Sequence, residues 1–256
     1  MSLFITSLNS GSNGNCYYIG NEAEAVLIDA GISCRETEKR MARLGLPLER
    51  VRALFISHEH TDHIRGAARL ARRYHLPIYI TPATFARAGL TDPALSIRWL
   101  RAGESVGIGS LTVRAFSKLH DACDPHSFLV SYTGINVGVL TDIGRPCAQV
   151  IAHFQQCHAV FLEANYDDDL LERGRYPWVL KRRIRGDGGH LSNQQALELF
   201  RAHRPPFLSH LVLSHVSHEN NCPQLLAATF SPYLGATELV IASRLQETAV
   251  LRIEAA

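Results

Sequence analysis

The stretch His58-Glu59-His60-Thr61-Asp62-His63 sets three imidazoles and the Asp62 carboxylate directly behind the apolar run Ala53-Leu54-Phe55-Ile56. Four clustered donors are half of a dinuclear metal centre, so a fold built on this chain has to bring further donors to the end of that run. In extended backbone, residues two apart project the same way. His58 and His60 can therefore grip one ion while Asp62 and His63 turn toward a second. A solvated polar loop is the plain alternative.

The surrounding pattern is that of an α/β protein. Residues 3–6, 16–19, 25–28 and 52–56 read as strands, the first two separated by the turn composition Asn9-Ser10-Gly11-Ser12-Asn13-Gly14-Asn15. Ser33-x-x-Glu36 is a capping-box signature and Gly45 a stop, which predicts a helix over 34–44. Ile64, Ala67, Ala68 and Ala71 recur at helical spacing and predict a helix over 63–74, anchored against the histidine motif. Short strands follow at 78–80, 97–99, 105–108, 111–116, 128–132 and 135–140. Helices near 145–154, 167–185, 192–202 and 223–229 then alternate with strands at 159–162, 211–213 and 238–242. No linker interrupts the 256 residues and 46% of them are hydrophobic, so one domain with a sizeable core is expected. The expected fold class is α/β: two mixed sheets face to face, flanked by helices, a four-layer αββα sandwich.

No apolar run approaches the 18 or so residues of a membrane helix, and residues 1–8 lack a basic, cleavable leader pattern, so a cytoplasmic protein without membrane contact is expected. The six cysteines show no C-x-x-C spacing and read as free thiols; Cys123 and Cys222 lie near presumed ligands, but a structural role fits them better. A net charge of +2 implies no polyanion by itself. Of the 26 basic residues 23 are Arg, whose planar fork suits phosphate, although a GC-rich genome makes the same exchange.

Two divalent ions sharing a nucleophile need about seven protein ligands, three more than the hexapeptide supplies. Ligands in α/β architectures gather at the carboxyl ends of strands. His120 follows the strand at 111–116, Asp142 follows Val137-Gly138-Val139-Leu140, and His215 follows Leu211-Val212-Leu213-Ser214, whereas His210 precedes that strand. The expected arrangement places His58, His60 and His120 on one ion, Asp62, His63 and His215 on the other, and Asp142 between them. Read singly, His120 is a loop residue, Asp142 a helix cap and His215 a buried imidazole.

The order H-x-H-x-D-H, distant His, Asp, final His resembles the metallo-β-lactamase superfamily at all seven positions. Ser10-Gly11-Ser12-Asn13-Gly14-Asn15-Cys16, His120-Asp121-Ala122, Thr141-Asp142, Leu162-Glu163-Ala164-Asn165, Gly189-His190-Leu191-Ser192-Asn193 and the run from Leu213 to Asn221 are similar to its WalJ (YycJ) branch. That resemblance implies 5'-to-3' exonuclease activity on DNA. The 47 residues between Asp142 and His190 leave no room for the cap domain of ribonuclease J-type nucleases, and His60 departs from the Glu of the diiron oxygen-reductase branch.

The expected chemistry is hydrolysis of a phosphodiester by a metal-bridging hydroxide, at a centre that keeps a net positive charge suited to an anionic substrate. Asp62 would orient the nucleophile and His190, ahead of a helix capped by Ser192-x-x-Gln195, would protonate the leaving oxygen. Ser192 at that helix start, and Ser12 and Asn13 in the polar loop, are expected phosphate contacts. Arg182 and Arg183, in Lys181-Arg182-Arg183-x-Arg185, are expected on the nucleic-acid backbone, with Tyr176 and Trp178 near enough to stack a base; a solvated helix face explains them as well. Glu163, Asn165, Asn220 and Asn221 are expected to orient imidazoles, and Asn220 to reach substrate. The ions are expected to be two divalent cations, Zn, Mn or Fe. Two alternatives remain open at this level: a hydrolase of a small phosphodiester, cyclic phosphate or thioester, and a metal-bound regulatory protein without activity.

Overall fold

Strand β3 (Ala25–Ile28) carries four consecutive apolar residues, all fully buried. A strand buries successive side chains only where both faces of its sheet are covered. Here Val26 and Ile28 enter one apolar cluster while Ala25 and Leu27 enter another. The computed structural model, which describes residues 1–255, shows what covers each face.

The first sheet runs in the order β14 (Leu251–Glu254), β1 (Ser2–Asn9), β2 (Cys16–Gly20), β3, β4 (Val51–Phe55), β5 (Ile78–Ile80) and β6 (Ile97–Trp99). The second runs β13 (Glu238–Ile241), β12 (His210–Ser214), β11 (Ala159–Glu163), β10 (Ile135–Leu140), β9 (His126–Tyr132), β8 (Leu111–Ser117) and β7 (Ser105–Ile108). Each is mixed. Pairing is antiparallel from β14 to β3 and from β10 to β7, and parallel from β3 to β6 and from β10 to β13.

One apolar cluster fills the space between the sheets, with Tyr17, Val26 and Phe55 meeting Val113, Phe128 and Phe161. Outside the first sheet, Met41, Leu70 and Ala88 from α1 (Cys34–Arg43), α3 (Ala67–Tyr74) and α4 (Pro82–Ala88) join a second cluster. Outside the other sheet, Val150, Leu197 and Phe230 from α5 (Ala148–Phe154), α8 (Asn193–His203) and α9 (Pro223–Phe230) join a third. The expected four-layer αββα sandwich is the observed one.

Two expected helices are broken, each for a local reason. The stretch 63–74 divides into α2 (Thr61–Ile64) and α3, because the Gly66 amide donates to the Ala30 carbonyl (2.8 Å) instead of continuing the helix. Any side chain at Gly66 would bring its Cβ to 2.0 Å from the Ile32 carbonyl oxygen, so only glycine admits this approach. The stretch 167–185 divides into α6 (Asp168–Arg173) and α7 (Trp178–Arg185), with Gly174 ending the first and Pro177 preceding the second. Helix α4, capped by Thr81 with Pro82 in its first turn, and strand β14 were not anticipated.

The inter-sheet core predicts its own sensitivity. Phe128 is fully buried and meets Phe55 edge-on at 5.8 Å between ring centroids. Phe128→Ala is expected to cost about 3–5 kcal/mol in urea unfolding; a loss near zero would mean that this layer does not carry the fold.

Candidate metal centre

Parallel pairing decides where the donors meet. Strands β3 and β4 of one sheet, and β10, β11 and β12 of the other, end on one edge, and β8 points the same way because two antiparallel steps separate it from β10. The residues that follow these ends are Asp29, His58, His120, Asp142 and His215, and Glu163 closes β11. Asp29, Asp142 and His215 adopt left-handed backbone with φ of 61°, 55° and 54°. Such conformations cost about 1–3 kcal/mol each in a non-glycine residue and collect where side-chain direction matters.

Hydrogen bonds to the far side of each ring set which nitrogen faces inward. His63 Nδ1 donates to Asp29 Oδ2 (2.7 Å), His120 Nδ1 to the Gly189 carbonyl (3.0 Å) and His215 Nδ1 to Glu163 Oε1 (2.9 Å). Ser57 Oγ donates its only hydrogen to Asp29 Oδ2 (2.7 Å), so it accepts from His58 Nδ1 (2.8 Å). Each of these four rings, when neutral, therefore presents a bare Nε2 lone pair to the interior. This tautomer pattern is that of metal-binding imidazoles oriented by outer partners.

The inward atoms form two groups sharing one carboxylate. His58 Nε2 lies 3.1 Å from His60 Nδ1, which lies 3.4 Å from His120 Nε2. A tetrahedral ion with metal–nitrogen distances of about 2.0–2.1 Å would space its nitrogens about 3.3–3.4 Å apart. Asp62 Oδ2 is 3.6 Å from both His63 Nε2 and His215 Nε2. Asp142 reaches both sides: its Oδ2 is 3.3 Å from His63 Nε2, and its Oδ1 is 3.5 Å from His215 Nε2 and 3.9 Å from His120 Nε2. His215 Nε2 and Asp142 Oδ2 are buried without any hydrogen-bond partner. Stranding such atoms costs free energy, and a cation between them removes that cost, so the donor set fits divalent metal.

The charges respond strongly to this packing. Burial opposes the charge on His63, but Asp142, Asp29 and Asp62 outweigh it and raise the imidazole to about 10. Burial likewise opposes the His215 charge, yet Asp142, Asp62 and Glu163 carry it well above its usual range. His58 and His120 go the other way: burial dominates and lowers both, His120 to about 4. Burial pushes the Asp62 and Glu163 carboxyls up, and the facing imidazoles overcome it, leaving each at about 2.

Around this core lies a cleft of about 270 Å³ whose wall includes Ser12, Asp121, Tyr176, Arg183, His190 and Ser217. His190 Nδ1 donates to Glu163 Oε1 at 2.8 Å, so one carboxylate orients both His190 and His215. Glu163 is itself held by the Ile143 and Leu191 amides. Asn165 Nδ2 donates to the His215 carbonyl (2.7 Å) and Asn15 Nδ2 to Asp62 Oδ2 (3.2 Å).

The expected substrate contacts divide. Ser12 and Arg183 lie on the cleft, Arg183 with its Nε 2.5 Å from Asp121 Oδ2. Asn13 does not reach in, because its amide is occupied by the Arg244 carbonyl and Asn9. Ser192 is buried, its Oγ and its amide both taken by the capping box with Gln195, which removes it as a phosphate contact. Asn220 is buried off the cleft wall with an unpartnered side-chain amide. Arg182 sits on the opposite side of α7, its guanidinium 5.4 Å from the Trp178 ring centroid.

Sequence reasoning passed over Asp29, although it follows an apolar strand just as Asp142 does. It also missed Ser57, which joins Asp29 to His58, and Lys118, a buried ammonium donating to the Thr141 carbonyl at 2.7 Å. Lys118 carries no local signal, since only the fold encloses it.

The metallo-beta-lactamase superfamily model matches residues 10–112, which contain the hexapeptide. Exodeoxyribonuclease YycJ of Bacillus anthracis is 32% identical over 237 residues, covering 91% of this chain and 90% of its own length. The chain belongs to the metallo-beta-lactamase superfamily. Exodeoxyribonuclease WalJ of Streptococcus pneumoniae is a further relative, 30% identical over 91% of this chain and 88% of its own length. The fold agrees with the metallo-beta-lactamase fold protein YhfI of Bacillus subtilis, with a TM-score of 0.76 at 17% identity over 98% of this chain and 99% of that one. No helix among the described residues is long and apolar enough to cross a membrane.

Two further expectations arise at this superfamily site. A Cβ on Gly31 would lie 1.6 Å from the Asp62 carbonyl oxygen. Gly31→Ala is thus expected to push the hexapeptide outward and cut metal content by at least half in elemental analysis; full occupancy would mean that the loop tolerates the shift. Cys16 and Cys157 are fully buried, with burial pushing both thiols far up, and burial with the Glu38 hydrogen bond raises Cys34 to about 11. Cys123 is exposed. Iodoacetamide at pH 8 is expected to modify Cys123 first and to spare Cys16, Cys34 and Cys157 in peptide mass spectra of native protein.

Proposed function

We propose that this chain is a dinuclear metal-dependent phosphodiesterase acting from the 5' end of DNA, a 5'-to-3' exonuclease. The observation that carries the metal part is the pair of unpartnered buried atoms, His215 Nε2 and Asp142 Oδ2, set among lone pairs that outer hydrogen bonds aim inward. The names of the two relatives support DNA as substrate. His58, His60 and His120 would hold one ion and Asp62, His63 and His215 the other, with Asp142 within reach of both. Zn, Mn and Fe all suit this mix of imidazole and carboxylate. When bound, such a pair of ions polarises a phosphoryl oxygen and acidifies water at neutral pH.

The chain's own groups supply position and proton traffic. Asp62, steadied by Asn15, orients the attacking water. His190 keeps its Nδ1 proton on Glu163, so the ring acts as an acid when it also carries a proton on Nε2, which it passes to the leaving O3' and so returns to the neutral imidazole. Arg183, held at the cleft by Asp121, neutralises a nonbridging phosphate oxygen. Ser12 is the contact for the terminal phosphate. The six free cysteines and a DNA substrate fit a cytoplasmic enzyme.

Single-stranded DNA labelled at the 5' end, incubated with Mn²⁺ or Zn²⁺, is expected to release labelled mononucleotide first. Release of the label only in long fragments would remove the exonuclease reading, and no hydrolysis with any divalent ion would remove the phosphodiesterase reading. The small cleft volume favours a second reading, a hydrolase of a small phosphodiester. Turnover of a cyclic phosphate far faster than of DNA would favour it.

A further inference from the structure

Helix α7 has no buried residue, carries four basic side chains and no acidic one. Helical spacing sorts its residues onto two sides. Leu180, Arg183 and Ile184 line the metal cleft, while Trp178, Lys181, Arg182 and Arg185 line a second depression of about 410 Å³ on the other side, closed by Glu172 and Gly186. The helix is therefore a wall between the catalytic cleft and an adjoining basic, aromatic hollow. Trp178 is 68% exposed and Val179 73% exposed, which is unusual for large apolar side chains and unexplained by packing.

The charge pattern of that hollow is selective. Arg185 is committed to Glu172 at 2.6 Å and Lys181 to the Glu172 carbonyl. Arg182 makes no ion pair among the described residues; its guanidinium instead lies 5.4 Å from the Trp178 ring centroid. A free guanidinium laid against an exposed indole matches a base and its phosphate, since the ring stacks and the fork takes phosphate oxygens. The catalytic cleft, at about 270 Å³, admits a nucleotide unit and not a duplex. Arg183 on the cleft and Arg182 on the hollow are consecutive residues of α7, so a single strand leaving the cleft across this helix would meet the hollow.

We propose that the outer side of α7, with Trp178 and Arg182 as its working pair, is a platform for the part of a single-stranded nucleic acid that extends beyond the reacting phosphodiester. This inference rests on the phosphodiesterase reading above and adds the determinant of preference for polymers over short substrates. Trp178 stacks one base, and Arg182 holds the adjoining phosphate. Neither touches the reacting atoms, so their contribution is to affinity for long substrates.

Two measurements test it. The chain has two tryptophans, so a Trp99→Phe background leaves Trp178 as the sole indole emitter. Titration with a phosphorothioate dT12, which resists cleavage, is expected to quench that emission, with an apparent Kd that weakens as salt rises. Equal quenching by a poly-glutamate peptide would overturn the assignment in favour of an acidic protein partner. In steady state, wild type is expected to show a KM roughly tenfold or more lower for dT12 than for the dinucleotide pTpT, a stacking-sized advantage. Trp178→Ala and Arg182→Ala are expected to erase that length advantage through KM while kcat on dT12 stays within about twofold. If wild type hydrolyses neither substrate, the phosphodiesterase reading fails and the platform with it. If wild type hydrolyses both, the variants keep the full length advantage and Trp178 emission does not change, the platform alone is overturned.

Discussion

Asp142→Asn is expected to lower single-turnover cleavage of end-labelled DNA on the order of a thousandfold, and to reduce bound metal below two ions per chain. The side chain is nearly inaccessible, and its two oxygens face His63, His215 and His120. The amide keeps the shape of the carboxylate but removes its charge and gives one of the two positions hydrogens instead of a lone pair. Two cations held as proposed would then lack their shared anion, and the repulsion between them would no longer be offset. Elemental analysis and rapid-quench kinetics read the two effects separately. Wild-type metal content with a thousandfold slower reaction would move Asp142 from holding ions to acting on substrate; wild-type rates would remove it from the centre.

Removing metal is expected to change stability as much as activity, in a manner set by pH. In the metal-free chain the Asp62 and Glu163 carboxyls lie at about 2, and that of Asp142 is also far below its usual range. Their contribution is complete above the unfolded carboxyl value of about 4 and is lost as pH falls toward 2. His63, at about 10, and His215, also raised, behave in the opposite sense. Their contribution is complete below the unfolded imidazole value of about 6.5 and is lost as pH rises through 10. Burial lowers His58 and His120, so their contribution is complete above the unfolded imidazole value and is lost as pH falls below it. The chelator-treated protein should therefore have its highest Tm at about pH 6.5 and lower values on both sides.

Adding metal reverses the alkaline limb, because ions displace the protons on His63 and His215 more easily as pH rises. At a free ion concentration of about 1,000 Kd, each site contributes about 4 kcal/mol. For a chain of this length that corresponds to a Tm increase of about 8–16 °C per ion. Calorimetry at pH 6 and pH 9, with and without Zn²⁺, checks both parts. A metal-induced increase that shrinks with pH would contradict the proton competition on which the imidazole assignments depend.

Much of the site was legible because its donors obey a local rule. Asp142 and His215 sit two and one positions past an apolar strand, and the hexapeptide begins three positions past β4. Asp29 follows that rule too, past β3, and should have been read with them. The substrate contacts were less legible. Ser192 looked available because a helix start exposes amides, but the same Gln195 that marks the capping box consumes Ser192's own amide. Asn13 looked available because the loop is polar, and its polarity is spent on holding the loop together.

The amino-acid sequence by itself determined the layer architecture and singled out seven candidate donors, since both follow from short-range patterns: apolar runs of strand length, and His or Asp placed at their ends. Tertiary structure alone decided which nitrogen of each ring faces inward and which side of α7 meets the cleft. The ring orientations depend on Asp29 against His63, Gly189 against His120 and Glu163 against His215, contacts between residues 34, 69 and 52 positions apart. Pairings of that separation are set by parallel strands bringing distant chain ends to one edge, and no local pattern encodes them.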